Sequence, residues 1–403
     1  MKKLLVVLIC LITISAIAQN RKIEFKETIW KKNLENAKKQ NKLIFFDAYT
    51  SWCGPCKMMA KDVFTKDSVA DLFNQSFINV KYDMEKGEGI SLKETYGVAA
   101  YPTYLFINGD GEIVHKIVGS MSPNEFINEA NNALNPENTI YGLAKKFEST
   151  GHSQESAIAY LDALDKAYES EKKSVISKIY FDELPEATLL EEENWNLVQK
   201  YLNNPSSKAF AYLYVNRIKL AEKYNSKVVN NYFKNIFYSS VYMIKSSYNK
   251  KTNLKEAKEN GKAIREILDE PNEYSKIILA KLDLIEFAGT NQWNKFSEKV
   301  DLICADDNFS KTSGEKNYVV IEAGNDVATA NQKDYYKNAL KWAYIIDNNN
   351  PNPFTKIQLA ELKKRLLIRQ GKTLEAENMF KKEQALRKEA AEKGQITPPI
   401  MKN

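Results

Sequence analysis

The apolar positions along the chain follow two regimes. Up to about residue 135, short apolar runs alternate with helically spaced segments; from Thr139 to about Lys393, nearly every segment has helical spacing. In the first regime, Arg21 to Gln40 places Ile23, Ile29, Trp30, Leu34 and Ala37 at intervals that predict a polar, amphipathic helix. Lys42 to Tyr49 (KLIFFDAY) is almost continuously apolar, which predicts a short strand buried on both faces. A helix is predicted over Cys53 to Phe64, a second strand over Phe77 to Met84, and a short helix over Ser91 to Tyr96. Two further strands, Thr103 to Ile107 and Glu112 to Val118, flank Asn108-Gly109-Asp110-Gly111, a hairpin turn signal. Ser122-Pro123-Asn124-Glu125 combines a capping box with proline at the first helical position, and opens a helix to about Leu134.

Asn135-Pro136-Glu137-Asn138 breaks the pattern, and a domain boundary is expected there, with few contacts crossing it. The second regime is punctuated by Gly151, Pro185, Pro205, Pro271, Gly289, Pro351, Pro353 and Gly371. Helix pairs of this size predict a helical-repeat array. Two turn glycines are followed at matching intervals by a small residue and an aromatic: Gly151 by Ser156 and Tyr160, and Gly371 by Ala376 and Phe380. Ala163 continues the first set, and Ala339 followed by Pro351 fits a repeat's end. These positions resemble tetratricopeptide repeats, in which the small residue admits the paired helix and the aromatic fills the gap beside it. Glu383 stands where the second set needs alanine, and the remaining segments depart from the pattern.

The first residues read as an export signal. Lys2 and Lys3 form a charged start, Leu4 to Ile14 an apolar stretch, and Ala16-Ile17-Ala18 a small-x-small cleavage site, so the mature chain is expected from Gln19. No later apolar run is long enough to span a bilayer, which predicts an exported, periplasmic or secreted protein, soluble after cleavage and without stable membrane insertion. Ile9 before Cys10 is unlike a lipoprotein signal. Without the leader, 56 basic residues stand against 52 acidic ones, a net charge of +4 spread along the chain, which argues against nucleic-acid binding. Only two histidines exist, His115 and His152, far apart, so a histidine metal site or a Ser-His-Asp site is not expected and both are read as structural.

Three cysteines remain after the leader: Cys53, Cys56 and Cys304. One close pair and one stray thiol suit catalysis better than a structural disulfide framework. The pair sits in Trp52-Cys53-Gly54-Pro55-Cys56, between a strand and a helix. Unpaired N–H groups and the dipole at a helix start favour an anion, so Cys53 is the expected attacking thiolate, its pKa drawn from ~8.5 to roughly 3.5–7.5. Cys56, one turn in and expected to be less exposed, would resolve the mixed disulfide. Half a zinc site and a static disulfide are the other readings of such a pair; no second Cys pair completes a zinc site. Asp47, amid Leu43, Ile44, Phe45 and Phe46, is either a strand-edge residue or a buried acid whose raised pKa lets it take the proton of Cys56. Cys304, after Val300 and Ile303, is expected to be a buried core thiol. Phe210, Tyr212, Tyr214, Tyr232, Phe233, Phe237, Tyr238 and Tyr242 are expected mostly in helix-packing core.

Over residues 22–135 the chain resembles the thioredoxin superfamily. Trp52 to Lys57 matches the active-site motif, Asp47 the buried acid, Tyr101-Pro102-Thr103 the cis-proline segment, and Gly111-Glu112 through Val118-Gly119 the last hairpin strand and its glycine. Cys56-Lys57-Met58-Met59 and Val63-Phe64 look like the exported subgroup related to periplasmic disulfide reductases. The lysine that pairs with the buried acid has no clear match, Asn79 falling near its place, and Tyr49 replaces a usual tryptophan. The resemblance implies an α/β thioredoxin fold, a central mixed sheet flanked by helices, over 19–136, followed by an all-helical repeat domain over 137–395 and a tail at 396–403. It implies thiol–disulfide exchange by Cys53 and Cys56 with Asp47, and substrate contacts from Trp52, Gly54, Pro55, Tyr101, Pro102 and Gly119. Neither metal nor organic cofactor is expected. Protein disulfides or thiols are the expected substrates, a membrane thiol relay the expected electron donor, and the helical part a partner-binding module. The alternative is a scaffold or chaperone-like adaptor in which the helical part carries the main role.

Overall fold

The computed structural model describes residues 21–26, 29–268, 274–310, 312–349 and 351–395. The expected leader, Pro271 and the expected tail at 396–403 lie outside the described residues. The chain divides into two compact units, Met1–Glu183 and Leu184–Asn403.

The first unit is built on a four-stranded mixed sheet: β1 (Leu43–Tyr49), β2 (Phe77–Asp83), β3 (Thr103–Ile107) and β4 (Ile113–Val118), in the order β2-β1-β3-β4. β1 pairs parallel with β2 and antiparallel with β3, and β3 pairs antiparallel with β4. The central place of β1 accounts for its unbroken apolar run. Successive side chains point to opposite faces, so Phe45 joins Phe73, Tyr104, Phe106 and Phe126 on one side. Ile44, Phe46 and Ala48 join Ala37, Val80, Leu92 and Leu105 on the other. Asp47 therefore projects on the Phe45 side, the side that also packs Met59, Val63 and Phe64.

Helices α1 (Trp30–Gln40), α2 (Gly54–Met58), α3 (Asp67–Ser76), α4 (Glu88–Thr95) and α5 (Pro123–Leu134) surround the sheet. The capping box at Ser122 and Glu125 is formed, with Pro123 in the first turn. The predicted helix over Cys53 to Phe64 is α2 continued by a π-helical segment, Met59–Val63. The predicted helix over Arg21 to Gln40 is half wrong. Only Trp30–Gln40 is helical, and residues 21–26 are extended. Ile23 gives its N–H to the Phe64 carbonyl at 3.0 Å and Lys26 its N–H to the Asn79 carbonyl at 2.8 Å. The apolar spacing there reflects Ile23 entering the sheet core, not a helix face. Helix α3, absent from the sequence reading, buries Val69, Ala70 and Phe73.

The expected boundary at Asn135–Pro136 falls inside the first unit, which continues through α6 (Ile140–Ser149), α7 (Gln154–Lys166) and α8 (Ser170–Glu183). Helices α6 and α7 pack against β4. Lys166 bonds the buried Glu129 of α5, and Lys116 of β4 bonds Glu169 at 2.7 Å. A polar, proline-containing turn therefore marks a change of secondary structure without ending the compact unit. Ser156, Tyr160 and Ala163 are buried, and Gly151 takes the left-handed φ of +61° that its turn requires. His152, in the same turn, stacks on Phe147 with ring centroids 4.2 Å apart.

The second unit is helical: α9 (Glu192–Tyr201), α10 (Lys208–Val215), α11 (Arg217–Leu220), α12 (Ser226–Lys250), α13 (Leu254–Ile267), α14 (Ser275–Gly289), α15 (Trp293–Ala305), α16 (Ser313–Thr329), α17 (Tyr336–Asn348), α18 (Pro353–Arg369) and α19 (Thr373–Glu392). Sequence neighbours pack together, as α12 does on α13 and α18 on α19. Phe210, Tyr214, Tyr232, Phe233 and Phe237 are core, as expected, whereas Tyr242 is 75% exposed. Cys304 is half-buried at the rim of the cluster around Trp342, rather than within it. Phe380 does not fill a helix gap: it is half-exposed beneath the Lys364 ammonium, 5.2 Å from its ring. Glu383 is buried by its ion pairs to Lys364 and Arg387. Among the described residues no helix is long and apolar enough to cross a membrane.

Candidate redox site

Strand β1 delivers the chain to the C-terminal edge of the sheet, where it turns into α2. Cys53 is the N-cap of that helix and Pro55 occupies its first turn, where a missing N–H costs nothing. Cys53 and Cys56 form a disulfide, with sulfurs 2.01 Å apart. The Cys53 Sγ also accepts the Cys56 backbone N–H at 3.1 Å. That donor is one of the orphan N–H groups of a helix start, and it stays aimed at the sulfur that would carry negative charge after reduction.

Cys53 is not the more exposed of the two: it is 3% exposed and Cys56 8%. The Cys53 sulfur is turned back onto the first helical turn by its bond to Cys56 and by the N–H it accepts. Its place at the helix start, and not its exposure, sets its sulfur apart from that of Cys56.

The rim around the pair is aromatic. Trp52 is 63% exposed, donates its indole N–H to Glu85 Oε2 at 3.0 Å, and stands edge-on to Tyr101, ring centroids 6.0 Å apart. Lys93 places its ammonium 5.6 Å from the Tyr101 ring. The Tyr101–Pro102 peptide is cis. Gly119, at the end of β4 with φ of +101°, donates its N–H to the Pro102 carbonyl at 2.9 Å and so ties this loop to the sheet. Gly54 has open space around it, leaving the backbone of the Cys-x-x-Cys turn accessible.

Asp47 lies on the face of β1 that packs Met59 and Val63, in the segment following Cys56. It is buried, and its Oδ1 has no hydrogen-bond partner. Burial pushes its carboxyl up to about 7, against the opposing pull of Lys81. Lys81 is the residue the sequence reading missed. It is the register partner of Asp47 on the parallel strand β2, whereas Asn79 pairs with Phe45. The Asn79 amide is spent on the Phe73 carbonyl and on Asn74. Counting register from the Phe77 start of β2 would have located the cation. On the other side, Tyr104 is the register partner of Asp47 on β3, and its hydroxyl is buried, with a pKa raised by burial and by the Asp47 charge.

The two histidines lie elsewhere in the unit. His115 is buried on β4 with Nε2 3.1 Å from Glu129 Oε2, and His152 meets Glu183 at 2.6 Å. The Cys304 thiol, in the second unit, is pushed up to about 11 by burial, which makes it a poor nucleophile at neutral pH.

A disulfide of this spacing at a helix start can open and close in exchange with another thiol, which is the chemistry of a thiol–disulfide oxidoreductase. Residues 30–134 match the family described as a thioredoxin-like domain. Thioredoxin H4 of Arabidopsis thaliana is 39% identical over 92 residues, covering 23% of this chain and 72% of that protein. Thioredoxin H-type 2 of Nicotiana tabacum is 34% identical over 91 residues, covering 23% of this chain and 71% of that protein. Among solved structures, a candidate disulphide-isomerase from Bacteroides thetaiotaomicron is 46% identical, covers 29% of this chain and 97% of that chain, and superposes with a TM-score of 0.27. The chain belongs to the thioredoxin superfamily through its first unit, and the matched region ends where α5 ends.

Proposed function

We propose that this protein is an exported reductase of protein disulfides, with its helical unit holding the partner. The observation that carries the chemistry is the pairing of a helix-capping Cys53 sulfur with a buried Asp47 poised near neutrality. The reduced Cys53 thiolate attacks a substrate disulfide, forms a mixed disulfide with one sulfur and expels the other as a thiolate. Cys56 then gives its proton to Asp47 and attacks Cys53 Sγ. This closes the Cys53–Cys56 disulfide and releases the second substrate thiolate. Two electrons pass to the substrate, so each cycle needs two from a thiol donor; in an oxidising compartment a membrane thiol relay supplies them. The cysteine pair itself is the redox carrier, and the cycle needs no metal or organic group.

Trp52, Gly54, Pro55, Tyr101, Pro102 and Gly119 frame the surface that a substrate strand meets, with the Tyr101 backbone open to a short β-addition. The export reading rests on Lys2-Lys3, the apolar stretch from Leu4 to Ile14 and the small-x-small site at Ala16-Ile17-Ala18. Partner binding by the helical unit is supported by apolar side chains left on its surface, among them Val215 at 75% and Ile218 at 66% exposure. Expression of full-length Cys56→Ser in a cell that exports it, followed by isolation of disulfide-linked adducts, tests the proposal. Exported proteins trapped through Cys53 support it. Cytosolic adducts, or adducts that persist in Cys53→Ser/Cys56→Ser, overturn it.

A further inference from the structure

The extended arm at residues 21–26 has no role in the exchange chemistry described so far, yet it reaches the edge of the Asp47 site. It is anchored along its length. Arg21 pairs with Asp71 at 3.0 Å, the Glu24 N–H bonds Asn74 Oδ1 at 2.8 Å, and the Lys26 N–H bonds the Asn79 carbonyl at 2.8 Å. These contacts seat Phe25 against two rings of the core, Phe64 at 5.8 Å and Phe45 at 6.2 Å between centroids. Over the Phe25 ring, 5.3 Å from its centroid, lies the Lys81 ammonium. Lys81 is exposed and flexible by nature, a long side chain that unrestrained would spread its charge over many positions in water. It is also the register partner of Asp47.

We propose that Phe25 is a positioning residue for the exchange reaction: its ring holds the Lys81 ammonium at the solvent edge of the Asp47 site, and so sets how readily Asp47 takes the proton of Cys56. A cation over an aromatic face is drawn to the negative face of the ring, enough to bias an exposed lysine among rotamers. The other titratable groups that meet Asp47 are fixed by the fold: Tyr104 from β3 and Tyr49 two positions along β1. Among these charges and dipoles, Lys81 is the cation opposing the burial of Asp47, and the arm is what restrains it. The proposal rests on the reading of Asp47 as proton acceptor.

The test uses reduced full-length protein, every variant carrying Cys304→Ser so that the Cys53–Cys56 pair alone is read, mixed rapidly with dithiobis(nitrobenzoate). Attack by Cys53 releases one coloured thiolate, and resolution by Cys56 releases the second, so the two steps are read separately. The rate of the second release is followed from about pH 5 to about pH 9. The wild type should show a midpoint near the Asp47 value of about 7. Lys81→Met should move that midpoint up by about one unit, and Phe25→Leu by about half a unit. Phe25→Tyr, which keeps the ring face, should leave it in place. Phe25→Leu should add nothing in a Lys81→Met background, which a merely structural role for the ring would not predict. Phe25→Met serves the same purpose if Phe25→Leu does not fold. A Phe25→Leu shift that is absent, or that persists undiminished without Lys81, overturns the proposal while leaving Asp47 in its role. A wild-type rate without a midpoint in this range overturns the Asp47 reading and the proposal together.

Discussion

Lys166 of α7 reaches the buried carboxylate of Glu129 on α5, the same carboxylate that meets His115 of β4 at 3.1 Å. One acid thus fastens a helix beyond the family-matched region to the sheet of the thioredoxin fold. Burial alone would push Glu129 up; the bonds from His115 and Lys166 outweigh it and hold the carboxyl at about 2. A carboxylate whose folded value lies below its unfolded one stabilises the fold above the unfolded value near 4.5, and that contribution fades as pH falls toward 2.

The first prediction concerns this tie. Lys166→Ala should destabilise the first unit by about 1–2 kcal/mol at neutral pH, a modest figure because the lysine itself stands half in water. The loss should shrink as pH falls below the unfolded value of Glu129. A fragment ending at residue 136 lacks Lys166 and the helices covering β4, so it should unfold at lower denaturant than one ending at residue 183. Equal midpoints for the two fragments would show that α6 to α8 add nothing to the thioredoxin fold.

Asp47 supplies the second prediction, in two parts. Its folded value near 7 lies above the ordinary carboxylate value of 3.8. Ionising it therefore costs stability that accumulates as pH rises from about 4 toward 7 and then stays lost. Asp47→Asn should stabilise the protein at pH 8 by roughly 2–4 kcal/mol, and by little near pH 4. The same change should slow resolution by Cys56 about tenfold or more near neutral pH, and slow the first attack less. A destabilised Asp47→Asn protein at pH 8, or equal slowing of both steps, would contradict this.

Much of this site was legible in the sequence because its elements are local. The Trp52–Cys56 run, the apolar β1 and the Ser122 capping box each carry their signal within a few residues, and each formed as expected. What could not be read was register and depth. Lys81 faces Asp47 only because β2 runs parallel to β1 in the register that pairs Leu43 with Phe77, a relation between segments more than thirty residues apart. The arm at 21–26 imitated a helix, since a chain that dips one side chain into a core and then meets a real helix yields the same apolar spacing. The turn at Asn135–Pro136 carried every local mark of a boundary, and the contacts that carry the unit past it come from Lys166 and Glu169, some thirty residues later.

Gly119 gives a third prediction. Its φ of +101° is one that side chains rarely adopt, and its N–H holds the Pro102 carbonyl. Gly119→Val should cost about 1–3 kcal/mol of stability through backbone strain. It should also slow reduction of a protein disulfide more than that of a small aryl disulfide, because only the former uses the Tyr101 backbone. Equal slowing on both would separate Gly119 from substrate contact.

A fourth prediction ranks the thiols. In the reduced protein at pH 6–7, Cys53 should alkylate at least about tenfold faster than Cys304, whose thiol burial holds near 11. Mapping the labelled peptides by mass spectrometry decides it, and Cys304 as the fastest thiol would contradict the assignment.

The most direct measurement is reduction of insulin by dithiothreitol, followed by turbidity, on the full-length protein. The wild type and Cys304→Ser should accelerate precipitation alike, and Cys53→Ser should fall to the uncatalysed rate. Acceleration that survives in Cys53→Ser, or a wild type whose Cys53–Cys56 disulfide stays closed in dithiothreitol and accelerates nothing, would contradict the assignment of this protein as a thiol–disulfide oxidoreductase acting through that pair.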